Sequence, residues 1–249
     1  MTYGVKKTGL LSNALELTER ELLQFGKTLI VAPHADDESL GCGGTVARLR
    51  ELGLDVHILV VTDGSQSHPG SIEYTAEDRA ALRRKEIIAA AEILGIKSEH
   101  VTFTGLLDGD VPSEQEEGFD AVVKMMSRLL LQIQPDTVFI PYRLDPHRDH
   151  IATSQIMRRA FSVFKISPRI IEYPVWLWEL GVHDAYPDAS RMKTWKVEMG
   201  SQLATKRRAI AEHQSQLGNV IHDDPSGFVL TPDLLAHFEL PFEIFFESY

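Results

Sequence analysis

Strand-like and helix-like segments alternate along this chain of 249 residues, and that alternation most limits the folds it can adopt. Short apolar runs such as residues 28–33 (TLIVAP) are typical of strands buried in a parallel sheet. The expected strands lie at residues 28–33, 55–62, 100–103, 137–140, 169–173 and 195–199. The expected helices, with apolar residues at helical spacing, lie at residues 39–52, 76–94, 119–133, 149–164 and 204–215.

Strands that alternate with helices of this length predict one α/β domain. Right-handed crossovers would give a Rossmann-like open, mostly parallel sheet with helices on both faces. We expect its core to span roughly residues 28–216. Residues 217–249 form an expected C-terminal extension, whose apolar end packs on the domain or on a neighbouring subunit. Ligands bind such sheets outside the carboxyl ends of the strands, so the segments that follow the strands should build the site.

The charge balance narrows the class of partner. The chain has 25 Lys and Arg against 36 Asp and Glu, a formal net charge of −11. An acidic surface argues against binding to a nucleic-acid backbone or to an anionic membrane. A membrane-spanning helix needs about 20 apolar residues, and no apolar run in the sequence approaches that length. The one cysteine, Cys42, excludes an intramolecular disulfide, and we expect a cytoplasmic protein with a small-molecule substrate.

Two polar segments follow strands and offer metal ligands. Residues 34–38 (HADDE) come directly after the first strand, and residues 141–150 (PYRLDPHRDH) come after the fourth. Because both segments lie at carboxyl ends of strands, a parallel sheet could place them side by side. Two imidazoles and a carboxylate make a catalytic zinc site with one coordination position left for water.

The spacing alone leaves the roles within these segments open. Either Asp36 or Asp37 could bind the metal while the other accepts a proton from the attacking water. His147 and His150 need not both be ligands, and one of them could stand over the substrate carbonyl. Asp145 or Asp149 could then hold that second histidine in its charged form.

At these residues the chain resembles the LmbE/PIG-L family of zinc-dependent N-acetylglucosaminyl deacetylases. The family motif (A/P)-H-(P/A)-D-D-E matches residues 33–38 (PHADDE), and the motif H-x-D-H matches residues 147–150 (HRDH). The resemblance covers roughly residues 29–216. Weaker matches follow at residues 62–64 (TDG), Arg83 with Glu86, residues 94–95 (LG), residues 108–109 (DG), and Lys206, Ala209, His213, Ser215 and Gln216.

The resemblance implies a hydrolase that removes an N-acyl group, usually acetyl, from an amino-sugar derivative. It implies Zn²⁺ or another divalent ion, and it suggests a homo-oligomer. The metal ligands by resemblance are His34, Asp37 and His150.

The remaining implied roles concern the reaction and the substrate. Asp36 would be the general base that acts on water at the zinc. His147 would be a charged histidine over the oxyanion, oriented by Asp149. Arg83 and Asp108 would hold the sugar hydroxyls or the group attached to the sugar.

Two departures from the family pattern concern the second motif. Arg148 stands where the family commonly has proline, and Asp145 stands where some members have a tyrosine. Neither change removes a ligand. Trp176 and Trp178 could form a sugar-stacking wall, although core packing is the preferred interpretation.

Three other functions fit the sequence less well. A metallophosphoesterase also uses His and Asp clusters, although such sites hold two metals. A non-catalytic protein that retains a metal would have no use for the spare aspartate. A dinucleotide-binding dehydrogenase is disfavoured because residue 46, where a third glycine would be needed, is Val46. The small residues at 41–44 are better explained by close packing of helix and sheet.

Overall fold

A computed structural model describes residues 9–249 of the chain. Within those residues there is one sheet of eight strands, in the order β1-β7-β8-β6-β5-β2-β3-β4. The strands are β1 (Leu15–Glu16), β2 (Thr28–Ala32), β3 (Val56–Thr62), β4 (Val101–Leu106), β5 (Thr137–Pro141), β6 (Arg169–Tyr173), β7 (Met192–Glu198) and β8 (Phe242–Ser248). Only β8 pairs antiparallel with its neighbours, so the sheet is mostly parallel.

The helices connect the strands. They are α1 (Glu19–Leu22), α2 (Asp37–Glu51), α3 (Ala76–Ile93), α4 (Phe119–Ile133), α5 (Arg148–Phe164), α6 (Leu177–Leu180), α7 (Gln202–Glu212) and α8 (Pro232–Ala236). Local signals explain the bounds of α3. The Thr75 and Asp78 side chains form a reciprocal cap at its start, and Gly95, at φ +83°, follows its end.

Alternate residues of the central strands face two separate apolar clusters. Ile30 of β2 packs in the cluster that contains α2, α3 and α7, whereas Leu29 and Val31 pack in the cluster that contains α4 and α5. Since successive side chains of a strand point to opposite faces, helices cover both faces of the sheet. The predicted α/β class and the mostly parallel sheet are therefore confirmed.

The predicted elements agree with the structure more closely in the centre than at the end of the chain. The helix at 119–133 and the strand at 169–173 have the predicted bounds. No strand is predicted for the last residues, yet β8 lies between β6 and β7. Its run of aromatic and β-branched residues is a recognisable strand signal. No helix of the described residues has the length and apolar character needed to cross a bilayer.

Small residues of α2 allow the helix to approach the sheet closely. A Cβ atom on Gly41 would lie 2.4 Å from Cδ2 of Tyr173, and one on Gly44 would lie 2.0 Å from Sδ of Met199. The expected close packing at these positions is confirmed. Cys42, between these glycines, is buried.

A buried ion pair joins α7, β8 and α2. Nζ of Lys206 lies 2.7 Å from Oε1 of Glu243, and each side chain is 2% exposed. The Glu243 carboxylate also accepts hydrogen bonds from the backbone N–H groups of Gly44 and Thr45, at 2.9 and 2.7 Å. These bonds satisfy a carboxylate that would otherwise be costly to bury.

Replacing Lys206 by Met should strongly destabilise the protein, because Glu243 would remain buried without its cation. We expect the free energy of unfolding to fall by about 3–5 kcal/mol in urea denaturation. The matched control is Arg207→Met on the same helix, which breaks the exposed pair with Glu239. That control should change stability by about 1 kcal/mol or less. Equal effects of the two variants would contradict the assigned importance of the buried pair.

Candidate active site

A cavity of about 170 Å³ lies at the carboxyl ends of the central strands. It is lined by residues that follow β2, β3, β4, β5 and β6, and by the segment around α8. The lining residues are His34, Asp36, Asp37, Leu40, Gln66, Ser67, Arg83, Asp108, His147, Val175, Trp176, Gln216, Phe228, Leu230 and Leu234. The two polar segments noted in the sequence therefore meet where the fold class predicts.

Three donor atoms converge at one end of this cavity. Nδ1 of His34 lies 3.3 Å from Oδ2 of Asp37 and 3.3 Å from Nε2 of His150. Nε2 of His150 lies 3.2 Å from the same Asp37 oxygen. His34 and Asp37 come from the end of β2 and the start of α2, and His150 from the first turn of α5. The structure thus brings together the three residues that the resemblance implied as ligands.

The size and chemistry of this triangle fit a tetrahedral zinc ion. Ligands at about 2.0–2.1 Å from a tetrahedral centre lie about 3.3 Å from one another. The three edges of the triangle, 3.2 to 3.3 Å, match that value. Two imidazole nitrogens and one carboxylate oxygen are also a donor set found in catalytic zinc sites, with a fourth position left open. A nitrogen of His147 lies within 4.8 Å of ring nitrogens of His34 and His150.

Carboxylates hold the outer nitrogens of both imidazoles. Nδ1 of His150 lies 3.1 Å from Oδ2 of Asp145, and that oxygen also accepts the backbone N–H of Val175 at 2.9 Å. Nε2 of His34 lies 3.1 Å from Asp149 and 3.3 Å from Asp108. Such outer partners fix the ring orientation and tautomer of a metal-binding histidine.

The protein by itself already stabilises positive charge here. Burial lowers the pKa of His150, but the Asp37 and Asp145 carboxylates outweigh burial and raise it to about 9. Burial likewise raises the pKa of Asp37, but the His150 and His34 imidazoles outweigh burial and lower it. A divalent cation would take the place of these protons, so metal binding and protonation compete.

Asp36 points its carboxylate into the cavity beside this triangle without joining it. Its backbone has φ 153°, a conformation that costs a non-glycine residue on the order of 1–3 kcal/mol. Burial raises its pKa to about 6, and the charge of Arg83 opposes part of that rise. Nη2 of Arg83 lies 3.3 Å from Oδ2 of Asp36 and also donates to the carbonyl of Ala35.

A second buried layer supports the backbone of Asp36. Oε2 of Glu38 accepts the Asp36 N–H at 3.0 Å, and Oε1 of Glu38 lies 3.2 Å from Nε2 of His213. His213 and Glu38 are fully buried. His213, one of the weaker matches to the family pattern, therefore contacts the site only through Glu38 and does not line the cavity.

His147 lines the cavity, but its ring does not pair with the carboxylate of Asp149. Its Nδ1 accepts the backbone N–H of Asp149 at 3.2 Å, so a ring proton belongs on Nε2. Burial, together with the charges of His34 and His150, lowers the pKa of His147 to about 4. The structure therefore favours a neutral ring, whereas the resemblance implied a charged one. Trp176 stacks on this ring, with centroids 5.9 Å apart.

Asp149 contacts a different histidine from the one implied by the resemblance. Its carboxylate lies beside His34 and accepts the backbone N–H groups of Gly109 and Val111, at 2.8 and 3.2 Å. Asp149 is fully buried at the start of α5, and its side chain faces the loop after β4. The sequence left open whether Asp145 or Asp149 supports a histidine of the second motif. In the structure Asp145 does so, because its carboxylate contacts the ring of His150.

The C-terminal segment forms part of the cavity wall, which the sequence did not reveal. Asp223 ties this segment to the loop at 63–75: its carboxylate accepts from Oγ of Ser71 and from the N–H groups of Ile72 and Glu73, at 2.7 to 2.9 Å. Phe228 N–H donates to the carbonyl of Ser67 at 2.8 Å. The loop is therefore held in place by the Asp223 side chain and by a backbone hydrogen bond, and neither contact has a local sequence signature.

Comparison with protein families gives a match that covers about half of the chain. The family model for PIG-L, described as GlcNAc-PI de-N-acetylase, matches residues 29–161. That range contains all of β2 except its first residue, then β3 to β5, both polar segments and most of α5. The matched part therefore includes all three atoms of the donor triangle.

Individual relatives extend this similarity. The chain is 35% identical to diacetylchitobiose deacetylase of Thermococcus kodakarensis over 195 residues, covering 76% of this chain and 70% of the relative. It is 28% identical to 1D-myo-inositol 2-acetamido-2-deoxy-alpha-D-glucopyranoside deacetylase of Corynebacterium glutamicum, covering 55% of this chain and 53% of that relative. The structure resembles N,N'-diacetylchitobiose deacetylase of Pyrococcus horikoshii with a TM-score of 0.64 and 25% identity, covering 80% of this chain and 73% of that one.

Replacing Asp145 by Asn should weaken metal binding. Asn keeps an acceptor for the Val175 N–H but removes the charge that orients His150, so we expect the zinc dissociation constant to rise about 10- to 100-fold. Competition with a chromophoric chelator measures that constant. Asp110→Asn, at an exposed aspartate outside the cavity lining, is the matched control and should bind zinc as the wild type does. Unchanged zinc affinity in Asp145→Asn would contradict the role given to Asp145.

Proposed function

The chain belongs to the PIG-L family of de-N-acetylases, and on that premise we propose that it is a metal-dependent hydrolase of N-acylated amino sugars. The proposed reaction adds water to the acyl carbonyl and breaks the C–N bond. A carboxylic acid and a free amino sugar are the products.

One observation carries this proposal: a second carboxylate, Asp36, lies in the cavity beside the triangle formed by two imidazoles and the Asp37 carboxylate. A purely structural metal site would use all its donors for the ion. Asp36 is instead held apart from the triangle by Arg83 and by a strained backbone. Strained residues of this kind cluster at functional sites.

His34, Asp37 and His150 would hold the metal, with Zn²⁺ as the proposed ion. When bound, the metal would act as a Lewis acid toward the acyl carbonyl and make water a better nucleophile at neutral pH. Asp145 would orient His150, and Asp149 together with Asp108 would orient His34. Both imidazoles would then present a defined nitrogen to the ion.

Asp36 would take the proton from the attacking water. A general base is most effective when its pKa lies near the working pH, and burial moves the pKa of Asp36 to about 6. Arg83 favours the ionised form and fixes one carboxylate oxygen. The proton gained by Asp36 would then be returned to the amine as the C–N bond breaks.

His147 would stabilise the oxyanion that develops on the carbonyl oxygen. Since its Nδ1 accepts the Asp149 N–H, its Nε2–H is available as a donor. Hydrogen-bond donors preorganised for a developing oxyanion contribute strongly to catalysis. We therefore propose a neutral His147 in this role, with Asp149 acting on it through its backbone.

Arg83 and Asp108 are proposed to contact the sugar. Both line the cavity, on the side of β3 and β4. Oδ2 of Asp108 accepts the N–H of Gln66 at 3.1 Å, and Oδ1 lies 3.3 Å from Nε2 of His34, so the carboxylate is held in place at the cavity wall. Polar side chains fixed in this way are suited to hold sugar hydroxyls.

A panel of N-acetylated amino sugars tests the proposed function directly. Metal-free protein should release no free amine, and addition of Zn²⁺ should restore amine release from at least one substrate. A parallel assay with phosphate esters addresses the metallophosphoesterase alternative. Phosphate release without amine release would overturn the proposal in favour of that alternative, and zinc binding without either activity would favour a binding protein.

Replacing Asp36 by Asn should lower kcat by about 10²- to 10⁴-fold, the usual contribution of a general base. Zinc content should stay at the wild-type level, because Asp36 is outside the donor triangle. Metal analysis and amine release on the same preparation measure both quantities. Asp110→Asn again serves as the control. A fully active Asp36→Asn enzyme would remove Asp36 from the mechanism.

A further inference from the structure

We propose that the cavity has a subsite for an apolar acyl chain, so that the enzyme prefers N-acyl groups longer than acetyl. This inference rests on the proposed function and specifies its substrate class. It comes from the distribution of polar and apolar side chains around the reaction centre.

The reaction centre lies between two unlike walls. His34, Asp36 and Asp37 follow β2, and His147 follows β5, the two central strands of the order β6-β5-β2-β3-β4. The wall on the β3 and β4 side is polar, and it consists of Gln66, Ser67, Arg83 and Asp108. The other wall is apolar, and it consists of Leu40 of α2, Val175 and Trp176 after β6, and Phe228, Leu230 and Leu234 of the C-terminal segment. This segment meets the polar wall at Phe228, whose N–H donates to the carbonyl of Ser67, and Gln216 lines the cavity beside Leu230.

The apolar wall is one continuous surface. Val175, Leu230 and Leu234 are 1%, 4% and 5% exposed and belong to the same core cluster. The Phe228 ring packs edge-to-face on Trp176, with centroids 5.6 Å apart. Trp176 in turn stacks on His147. The apolar wall therefore begins beside His147 and continues through Trp176 and Phe228. None of its residues is charged.

The geometry of an amide decides which part of the substrate meets this wall. The acyl chain and the sugar are attached to opposite ends of the C–N bond that breaks. If the sugar hydroxyls contact Arg83 and Asp108 on the polar side, the acyl chain extends toward Trp176 and the apolar wall. An acetyl methyl would cover only a small part of that surface, whereas a longer chain would remove more of it from water.

Measuring kcat/KM along an N-acyl series tests the subsite. The substrates are N-acetyl-, N-propanoyl- and N-butanoylglucosamine, with the zinc-loaded enzyme. Each added methylene should raise kcat/KM about fourfold, the value expected for burial of one CH₂ group. The butanoyl substrate should then exceed the acetyl substrate by about tenfold or more.

Three variants of one segment locate the effect. Phe228→Asn should reduce the ratio of butanoyl to acetyl kcat/KM to near one, whereas Phe228→Leu should retain most of the preference because it keeps the surface apolar. Val229→Asn is the matched control, since Val229 is 39% exposed and does not line the cavity. It should leave the ratio unchanged. The same ratio in Phe228→Asn and Val229→Asn would overturn the placement of the acyl chain.

A binding measurement separates this inference from the proposed function. Acetohydroxamate and butyrohydroxamate are titrated calorimetrically into the zinc-loaded protein, and the longer probe should bind about tenfold more tightly. The Phe228→Asn variant should lose this advantage.

Equal affinity of the two probes, with acetyl substrates still hydrolysed, overturns the subsite alone. A second comparison uses octyl and methyl N-acetylglucosaminide, which differ in the group attached to the sugar. If the octyl compound reacts faster and Phe228→Asn abolishes that gain, the apolar wall binds the group attached to the sugar, and the acyl assignment is overturned. Absence of amide hydrolysis with every substrate overturns the proposed function, while the probe affinities still test the subsite.

Discussion

The pairing of β2 with β5 is the contact on which the site depends. Thr28 to Ile30 of β2 lie in parallel register with Thr137 to Phe139 of β5, so the two strands end together. His34 and His150, 116 positions apart in sequence, then present ring nitrogens 3.3 Å from each other. The sheet gives this proximity its rigidity, because each strand is fixed by neighbours on both sides and by helices on both faces.

Burial of so many ionisable groups requires a compensating cation or close hydrogen-bonded partners. Asp37, Asp145 and Asp149 are buried within a few ångströms of His34 and His150. The triangle of donors fits zinc, and the outer carboxylates are each held by backbone N–H groups or imidazoles. The same contacts therefore balance the buried charges and fix the orientation of the imidazole rings. Catalytic sites that are preorganised before substrate binds have this property.

The walls of the cavity come from parts of the chain with different physical character. The polar wall follows β3 and β4, whose loop is held by Asp223 of the C-terminal segment. The apolar wall is an extension of the core beneath α2 and α8, and it reaches the reaction centre at Trp176. A substrate with a polar sugar and an apolar acyl group would match both walls, so that binding energy from the acyl chain could help to orient the amide.

The sequence by itself determined the α/β alternation, the parallel central sheet and the two segments that carry the proposed metal ligands, because these follow from local periodicity and from motifs at strand ends. It did not determine the partners of individual side chains. Whether Asp149 meets His34 or His147, and whether Asp145 supports His150, depends on side-chain directions at a loop and a helix start, where spacing along the chain sets no unique contact. Tertiary packing likewise decided that β8 lies between β6 and β7 in the sheet, and that Phe228, Leu230 and Leu234 line the cavity. Long-range contacts of this kind leave no periodic signal in the segments that make them.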